Sequence, residues 1–376
     1  MLRTLKNVAK WLLNNFPGGN YIVFESRPIL SDNTWAVFQE MQRRGLQKKY
    51  RMYWQVADKS AELPRFPNTA YLDRNNFWNR IQFEWITLRA KCMICCNDFL
   101  CVRLSTRRSF YLTHGTALKK LNNDYLPEGI SYTLIASEHV KESMAKELRA
   151  DPDTLVALGY PRNDALTQSP RNMHELFPGD FQKVVVWYPT FRQHKNGLKT
   201  ASANALPVLH DSQSAITLNE AARECGILLV VKPHFMQDLS YIKQYDLSNI
   251  VFIDDQFFVE HNISSYEFVG SCDGLITDYS SIFFDYLLCD RPVAVIWEDI
   301  EDYRKKPGFA MDPKESMRGS HKIYTLNDFL AFLQVVSAGE DPLRDERQKQ
   351  CALMNYASDG KNSQRVTDFI IAEANL

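Results

Sequence analysis

Short apolar runs alternate with segments of helical length along the first half of the chain. The runs are rich in β-branched and aromatic residues, and polar or helix-like segments separate them. This alternation is typical of parallel βαβ units, because a parallel connection needs a crossover that is usually a helix. The pattern predicts strands at 21–26, 50–56, 68–72, 91–97, 109–113 and 132–137, with helices near 34–44 and 77–89.

A second series of the same kind begins near residue 183. It predicts strands at 183–189, 227–233, 249–254, 274–278 and 292–297, with helices near 214–224 and 264–269 and another beginning at Tyr279. Between the two series, the polar residues 167–178 contain prolines and favour a hinge. We therefore predict an α/β fold of GT-B architecture, with two Rossmann-like domains facing a cleft. Other double-Rossmann enzymes share this periodicity.

The length of 376 residues also favours two domains, since one domain usually holds roughly 100–200 residues. We place the domains at 1–170 and 171–355, and we expect a C-terminal helix within 356–376 to pack back across their junction. The net charge of −1 excludes a polycation that coats nucleic acid, so no nucleic-acid partner is predicted.

The eight cysteines lie mostly in or beside apolar segments, where free thiols behave as small hydrophobic groups. No disulfide framework is expected. The cysteines within residues 92–101 lack the second ligand pair that a structural zinc site needs. We predict no metal site and no cofactor.

Residues 1–16 have the pattern of an amphipathic helix, with apolar residues mostly on one face and Lys6 and Lys10 elsewhere. Those lysines also break the continuous apolar run of a secretory signal. The apolar stretches of the chain are far shorter than the ~20 residues that span a bilayer. Basic clusters in the first third of the chain would be attracted to an anionic leaflet. We expect a cytoplasmic protein, peripheral at the inner face of the membrane, and packing of residues 1–16 on the protein's own core is the equal alternative.

The strongest local signal is GLITDYSSIFFDYL, residues 274–287. An apolar strand ends there at Asp278, Ser280 and Ser281 follow, and helical spacing then resumes. Backbone N–H groups and two hydroxyls at a helix start form an anion site suited to a nucleotide diphosphate. Both serines also fit ordinary helix N-caps that bind nothing. Asp285 lies on the helix face of Ser281 and is either a ribose contact or a solvated charge.

Further ionisable side chains follow other predicted strands. His114 follows the strand at 109–113, where a histidine can act as a general base or simply bind a turn backbone. Lys232 and His234 follow a second strand, and Arg192 follows a third. Because a parallel sheet gathers the carboxyl ends of its strands at one edge, these cations are candidate anion contacts beside the two serines.

Six short sequence segments occur in order between residue 114 and residue 365. They are HGTALK at 114–119, GYPRND at 159–164, PTFR at 189–192, KPH at 232–234, TDYSSIFFDY at 277–286 and DGKNSQR at 359–365. Together they resemble the CDP-glycerol glycerophosphotransferases of the teichoic-acid polymerase and primase type, with Phe191 where that family has Trp. The resemblance covers the chain from about Phe24 onward.

The resemblance implies a transferase that moves a polyol phosphate, most simply glycerol phosphate, from a CDP-linked donor to a hydroxyl. The acceptor would be lipid-linked or polymeric, CMP would leave, and the product would belong to teichoic-acid or capsule-type polymer synthesis. The first domain would be the acceptor side and the second would bind the donor. His114 would be the base, and His234 would stabilise phosphate charge or donate to the leaving group. The implied donor-side residues are Ser280, Ser281, Asp278, Asp285, Arg192 and Lys232.

Several roles stay open. Asp278 either positions the serine turn or contacts the donor, and Arg162 is a candidate phosphate contact. Asn163 and Asp164 are better explained as caps of the helix that follows them. The alternatives for the whole protein are a CDP-ribitol donor, a GT-B sugar transferase that uses a UDP-sugar, and a catalytically silent membrane-associated scaffold.

Overall fold

A computed structural model describes residues 18–56, 63–97, 108–121, 126, 129–190, 206–233, 239, 242 and 245–376. These residues form two compact units. Unit 1 contains the described parts of Met1–Thr116, Leu121–Asp164 and Tyr356–Leu376, and unit 2 contains those of Ala117–Lys120 and Ala165–Asn355. The polar residues 167–178, predicted as a hinge, therefore lie within unit 2.

Unit 1 is built on a seven-stranded parallel sheet, as far as the described residues show. Its strands in chain order are β1 Tyr21–Glu25, β2 Arg51–Gln55, β3 Thr69–Leu72, β4 Cys92–Cys95, β5 Arg108–Tyr111, β6 Tyr132–Ile135 and β7 Leu155–Ala157. They lie in the order β3-β2-β1-β4-β5-β6-β7. The helices of this unit are α1 Asp32–Arg43, α2 Phe77–Arg89, α3 Lys141–Leu148 and, at the C-terminus, α12 Asn362–Ala374.

Unit 2 contains a second parallel sheet, of six strands within the described part of the chain. The strands are β8 Lys183–Trp187, β9 Ile227–Val231, β10 Ile250–Phe252, β11 Gly274–Thr277, β12 Val293–Ile296 and β13 His321–Ile323. Their order is β10-β9-β8-β11-β12-β13. The helices are α4 Ser212–Glu224, α5 Asp255–Glu260, α6 Ser265–Ser271, α7 Ile282–Tyr286, α8 Ile300–Lys305, α9 Pro313–Ser316, α10 Leu326–Ala338 and α11 Arg344–Met354.

The central strands are mostly apolar because both sheet faces are covered. The VVVW part of β8 and the whole of β9 are buried, so these strands read as continuous apolar runs rather than alternating ones. In each sheet the strand order reverses beside the first strand, between β1 and β4 and between β8 and β11. Ligands of open α/β sheets bind at such switch points, outside the carboxyl ends of the strands.

Every strand predicted from the pattern is present. The pattern missed β7 and β13, which have three residues each and show no period. The strand β10 is equally short, but its apolar run continues to Ile253 and is recognisable. None of the helices among the described residues combines the length and apolar character needed to cross a lipid bilayer.

The C-terminal helix α12 is held in unit 1 by the carboxylate of Asp164. The backbone N–H groups of Asn362 and Ser363 donate to its two oxygens, each at 2.8 Å. The prediction that Asp164 caps the helix directly after it is wrong: that segment, Pro161–Thr167, is itself a short 3₁₀-helix. The carboxylate instead satisfies N–H groups that a helix start leaves without intrahelical partners.

Two further contacts fix the same helix. Gly159 has φ +77°, and a Cβ atom there would lie 2.5 Å from the Asn362 Oδ1 atom, so close approach requires glycine. Along the helix, the Arg44 guanidinium forms an ion pair with Asp368 and donates to the carbonyl of Gln364 at 3.2 Å. These bonds join α12 to α1.

We expect Asp164→Ala to lower the free energy of unfolding by about 1–2 kcal/mol, as loss of a helix N-cap does. Urea unfolding followed by circular dichroism measures the change. Asp180→Ala, at an exposed position of unit 2, is the matched control and should shift stability by less than ~0.5 kcal/mol. Equal stability of the two variants would contradict the capping role.

Candidate functional site

Asp278 organises the switch point of unit 2. It directly follows β11 and is 1% exposed. Its carboxylate accepts the backbone N–H of Thr190 at 2.8 Å, the Thr190 hydroxyl, and the N–H of Tyr279 at 2.6 Å. Thr190 lies just beyond the end of the neighbouring strand β8. The carboxylate therefore links the loop after β8 to the loop after β11. These are the two strands between which the strand order reverses.

Ser280 and Ser281 follow Asp278 at the start of α7, and both are partly exposed. Ser281 occupies the N-cap position but makes no side-chain capping bond. Within the described chain, neither serine hydroxyl makes a hydrogen bond. The backbone carbonyls of Ser280 and Ser281 accept the N–H groups of Phe283 and Phe284. The hydroxyls are therefore not used as ordinary caps. Because α7 has only five residues, its dipole contributes little, and the hydroxyl and N–H groups must supply most of any anion binding.

Tyr279, directly before the two serines, belongs to an aromatic cluster. The Tyr279 ring lies 4.1 Å from that of Tyr303 and 5.3 Å from that of Phe309. The buried Tyr279 hydroxyl donates to Asp299, just beyond β12, at 2.9 Å. These residues fix the backbone of the serine turn, because Tyr279 cannot move without breaking its ring contacts and the hydrogen bond.

Lys232 lies at the end of β9, which pairs with β8. Its ammonium group is 3.0 Å from the exposed carboxylate of Asp255 and 5.9 Å from the centre of the Tyr188 ring. Burial raises the pKa of the Tyr188 phenol, so that group is neutral at physiological pH. Lys232 therefore lies at the carboxyl edge of the sheet, and its ion-pair partner, Asp255, is exposed to solvent.

Asp285 lies on α7 but is 1% exposed. The Tyr266 hydroxyl donates to its Oδ2 atom at 2.6 Å. The carboxylate therefore has a structural partner, and its contact with a ribose stays a prediction. Arg192 and His234 lie outside the described residues.

His114 is exposed on the loop after β5 in unit 1, between residues with unusual backbone angles. Thr113, directly before it, has φ +46°, and Gly115 has φ +136°. A positive φ is strained for a β-branched residue and persists only where its surroundings enforce it, at a cost of roughly 1–3 kcal/mol. Here the Thr113 hydroxyl donates to the carbonyl of Leu134 at 3.0 Å.

Asn33, at the start of α1, is the second constraint on that loop. This fully buried amide donates to the carbonyls of Leu112 and Thr113 at 3.1 and 3.0 Å. Its oxygen accepts the backbone N–H of Arg162 at 3.1 Å. One side chain therefore fixes both the loop of His114 and the block at 159–164.

The Arg162 guanidinium is paired within unit 1. Its Nη1 atom is 2.7 Å from Asp32 Oδ1, and both side chains are largely buried. This ion pair gives Arg162 a positioning role beside Asn33, and its contact with phosphate stays a prediction.

The structure thus places Lys232, Asp278 and the two serines at the carboxyl ends of β9 and β11, the two strands that flank β8. His114 and Arg162 belong to unit 1. Sequence reasoning missed Asn33, because an isolated Asn near an element end resembles any cap or turn residue. It included Thr190 only as part of the PTFR block and did not predict its bonds to Asp278. The described residues contain no group of three or more side chains suited to bind a metal ion.

Comparisons with known proteins identify the family. Residues 9–372 match the family described as CDP-Glycerol:Poly(glycerophosphate) glycerophosphotransferase. A teichoic acid poly(glycerol phosphate) polymerase of Bacillus spizizenii is 25% identical over 316 residues, which cover 75% of each chain. A teichoic acid ribitol-phosphate primase of the same organism is 23% identical over 267 residues, covering 66% of this chain and 62% of the relative.

A solved structure of the wall teichoic acid polymerase TagF with CDPG has a TM-score of 0.74 and 21% identity, covering 98% of this chain and 94% of that chain. This likeness, together with the two parallel sheets, confirms the predicted α/β fold of GT-B type. The match to the family extends over nearly the whole sequence. The chain therefore belongs to the CDP-glycerol:poly(glycerophosphate) glycerophosphotransferase family and is a transferase of that type.

Proposed function

We propose that the protein transfers glycerol phosphate from CDP-glycerol to a hydroxyl of a lipid-linked or polymeric acceptor, with release of CMP, in the synthesis of a teichoic-acid or capsule-type polymer. The observation that carries the proposal is the turn of Ser280 and Ser281. Its hydroxyls have no capping role, it lies at the switch point of unit 2, and Asp278 fixes its backbone. A diphosphate needs such a set of fixed donors.

The reaction requires a base for the acceptor hydroxyl. We assign this role to His114, whose exposed imidazole follows a strand end and whose preceding residue, Thr113, is held by Asn33. As the proton passes to the imidazole, the acceptor oxygen forms a bond to the β-phosphorus. The bond from that phosphorus to the bridging oxygen breaks, and its electron pair leaves with CMP.

The phosphate oxygens carry the charge that develops in this step. We assign their stabilisation to Ser280 and Ser281, with Lys232 and Arg192 as cationic helpers. Lys232 would exchange its exposed partner Asp255 for the donor phosphates. His234 would stabilise phosphate charge or donate a proton to the leaving group. Asp278 holds the serine turn in this scheme, and Asp285 is the candidate ribose contact.

CDP-ribitol is the second candidate donor, because a ribitol-phosphate primase is among the relatives. The family match favours a CDP-linked donor over a UDP-sugar, and an active transferase over a silent scaffold. None of the described donor-side residues distinguishes a three-carbon from a five-carbon polyol.

The primary test is CMP release from CDP-glycerol and CDP-ribitol, with UDP-sugars as controls and a membrane-lipid extract as acceptor. We expect CMP from CDP-glycerol, and we expect His114→Ala to lower the rate by about 10²–10⁴-fold, as loss of a general base does. His139→Ala changes another exposed histidine of unit 1 and should leave the rate unchanged.

Two outcomes would contradict the proposal. Full activity of His114→Ala would remove the assigned base. Release of UDP from a sugar nucleotide, with no CMP from either polyol donor, would overturn the donor class.

The double variant Ser280→Ala/Ser281→Ala should raise KM for CDP-glycerol by about tenfold or more, since a hydrogen bond to a charged group contributes ~1.5–3 kcal/mol. Steady-state kinetics measures the effect, and Ser169→Ala, exposed in unit 2, serves as the matched control. An unchanged KM in the double variant would exclude the serine turn as the diphosphate site.

We also propose that the protein acts at the inner face of the cytoplasmic membrane, with residues 1–16 as one attachment. The sequence pattern of that segment supports this part, and the segment lies outside the described residues. Removal of residues 1–16 should lower flotation with vesicles that contain phosphatidylglycerol. If flotation is unchanged, the segment has a structural role instead.

A further inference from the structure

Glu25 is a buried acid at the switch point of unit 1. It is the last residue of β1, beside β4 where the strand order reverses, and it is 1% exposed. Its Oε2 atom accepts the backbone N–H groups of Cys96 and Asn97 at 3.2 and 3.0 Å. Both donors lie in the loop that follows β4. The Glu25 carboxylate therefore connects the end of β1 to the loop of the neighbouring strand.

Asn97 makes the reverse connection. Its Oδ1 atom accepts the backbone N–H of Arg27, in the loop after β1, at 2.8 Å. The loops after β1 and β4 are thus joined by one carboxylate and one amide. Asp278 makes the same kind of connection in unit 2, where it follows β11 and accepts the N–H of Thr190 beyond β8. Each unit therefore has a buried carboxylate that joins the loops of its two switch-point strands.

Buried side chains lead from the loop after β4 to the loop of His114. The Thr34 hydroxyl donates to the Cys96 sulfur at 2.8 Å, and burial raises the pKa of that thiol well above its ordinary value, so the thiol is neutral. Thr34 directly follows Asn33, which binds the carbonyl of Thr113, the residue before His114. Thr34, Cys96 and Asn33 are all completely buried. The backbone that carries His114 is therefore held relative to the loop after β4.

A second connection runs through the backbone. The N–H of Leu112 donates to the carbonyl of Cys95 at 2.8 Å, where the pairing of β4 with β5 ends. Cys95 directly precedes the first N–H group that Glu25 binds, and Leu112 lies two residues before His114. Two routes, one through side chains and one through the backbone, thus link the Glu25 carboxylate to the loop of His114.

Glu25 is too deeply buried to contact a donor or an acceptor. A buried carboxylate also costs far more free energy than an apolar side chain unless hydrogen bonds satisfy it. The three residues before it in β1, Ile22, Val23 and Phe24, are apolar and completely buried. The bonds to the β4 loop are what an acid supplies at this strand end and an apolar residue cannot.

We propose that Glu25 is a positioning residue for the transfer reaction: by binding the loop after β4, it holds His114 in the orientation that the acceptor hydroxyl requires. The inference rests on the proposed function, in which His114 is the base. A displacement of about 1 Å at a reacting group can lower a rate by about 10²-fold, so a residue of this kind changes kcat without touching a substrate.

The first test compares Glu25→Ala with Glu25→Gln in the CMP-release reaction. Glu25→Ala should lower kcat by about 10–10²-fold and leave KM for CDP-glycerol unchanged, because the assigned donor residues lie in unit 2. Glu25→Gln keeps an oxygen that accepts N–H groups and should restore most of the lost rate. The matched control is Asp73→Ala, which removes another buried carboxylate of unit 1, one that accepts the N–H of Asn75 beyond the edge strand β3. Its kcat should equal that of the wild type.

A double-mutant cycle separates positioning from a general loss of folded enzyme. Because Glu25 acts through His114, Glu25→Ala should lower the rate of the wild type but not the residual rate of His114→Ala. A loss of folded enzyme lowers both rates by the same factor, and that result would overturn the proposal. Glu25→Asp, which retracts the carboxylate by one methylene, replaces Glu25→Ala in the cycle if the alanine variant does not fold.

A further measurement needs no turnover. In protein labelled with ¹³C at the histidine Cε1 atoms, the His114 resonance is identified by its absence from His114→Ala. Glu25→Ala should shift this resonance and its pH titration, whereas Glu25→Gln and Asp73→Ala should not. An unchanged His114 resonance in Glu25→Ala would also refute the positioning role. If the wild type releases no CMP while the resonance still responds to Glu25→Ala, the transfer reaction proposed above fails and the positioning of His114 stands.

Discussion

The central strands of both parallel sheets are largely buried and apolar, and the candidate site residues lie in the loops that follow their carboxyl ends. Those loops carry backbone N–H and C=O groups that have no hydrogen-bond partner in the sheet. In each unit, one buried polar side chain binds several of these groups. Asp278 accepts three bonds at the switch point of unit 2, and Asn33 makes three across unit 1. Asp278 fixes the serine turn within unit 2, and Asn33 fixes the loop of His114 within unit 1.

For the proposed reaction, the consequence of these bonds is preorganisation. His114 and the two serines are solvent-accessible to different degrees, yet the residues directly before them, Thr113 and Tyr279, are buried and bonded. A strained φ at Thr113 persists because hydrogen bonds on both sides of the residue enforce it. Reactive groups held in this way need little reorganisation when a donor and an acceptor bind.

Unit 1 contains both the first strands of the chain and the C-terminal helix. Asp164 binds backbone groups of α12, so the last helix completes the unit that the first strands began. The block at 159–164 therefore has two structural roles. Gly159 and Asp164 hold α12, whereas the backbone N–H of Arg162 binds Asn33, which in turn holds the loop of His114.

The sequence by itself determined the two series of βαβ units, the strand ends that carry ionisable groups and the serine turn after β11, because local periodicity and cap chemistry encode all of these. It also indicated the family through ordered blocks. Only the tertiary structure decided that Asp164 caps α12, that Asn33 holds the loop of His114, and that Glu25 binds the loop after β4. The partners of Asp164 lie almost 200 residues away, and those of Asn33 about 80 to 130, as their bonds show. Contacts at such separations depend on how the sheets bring strand ends together, and no local pattern of side chains records them.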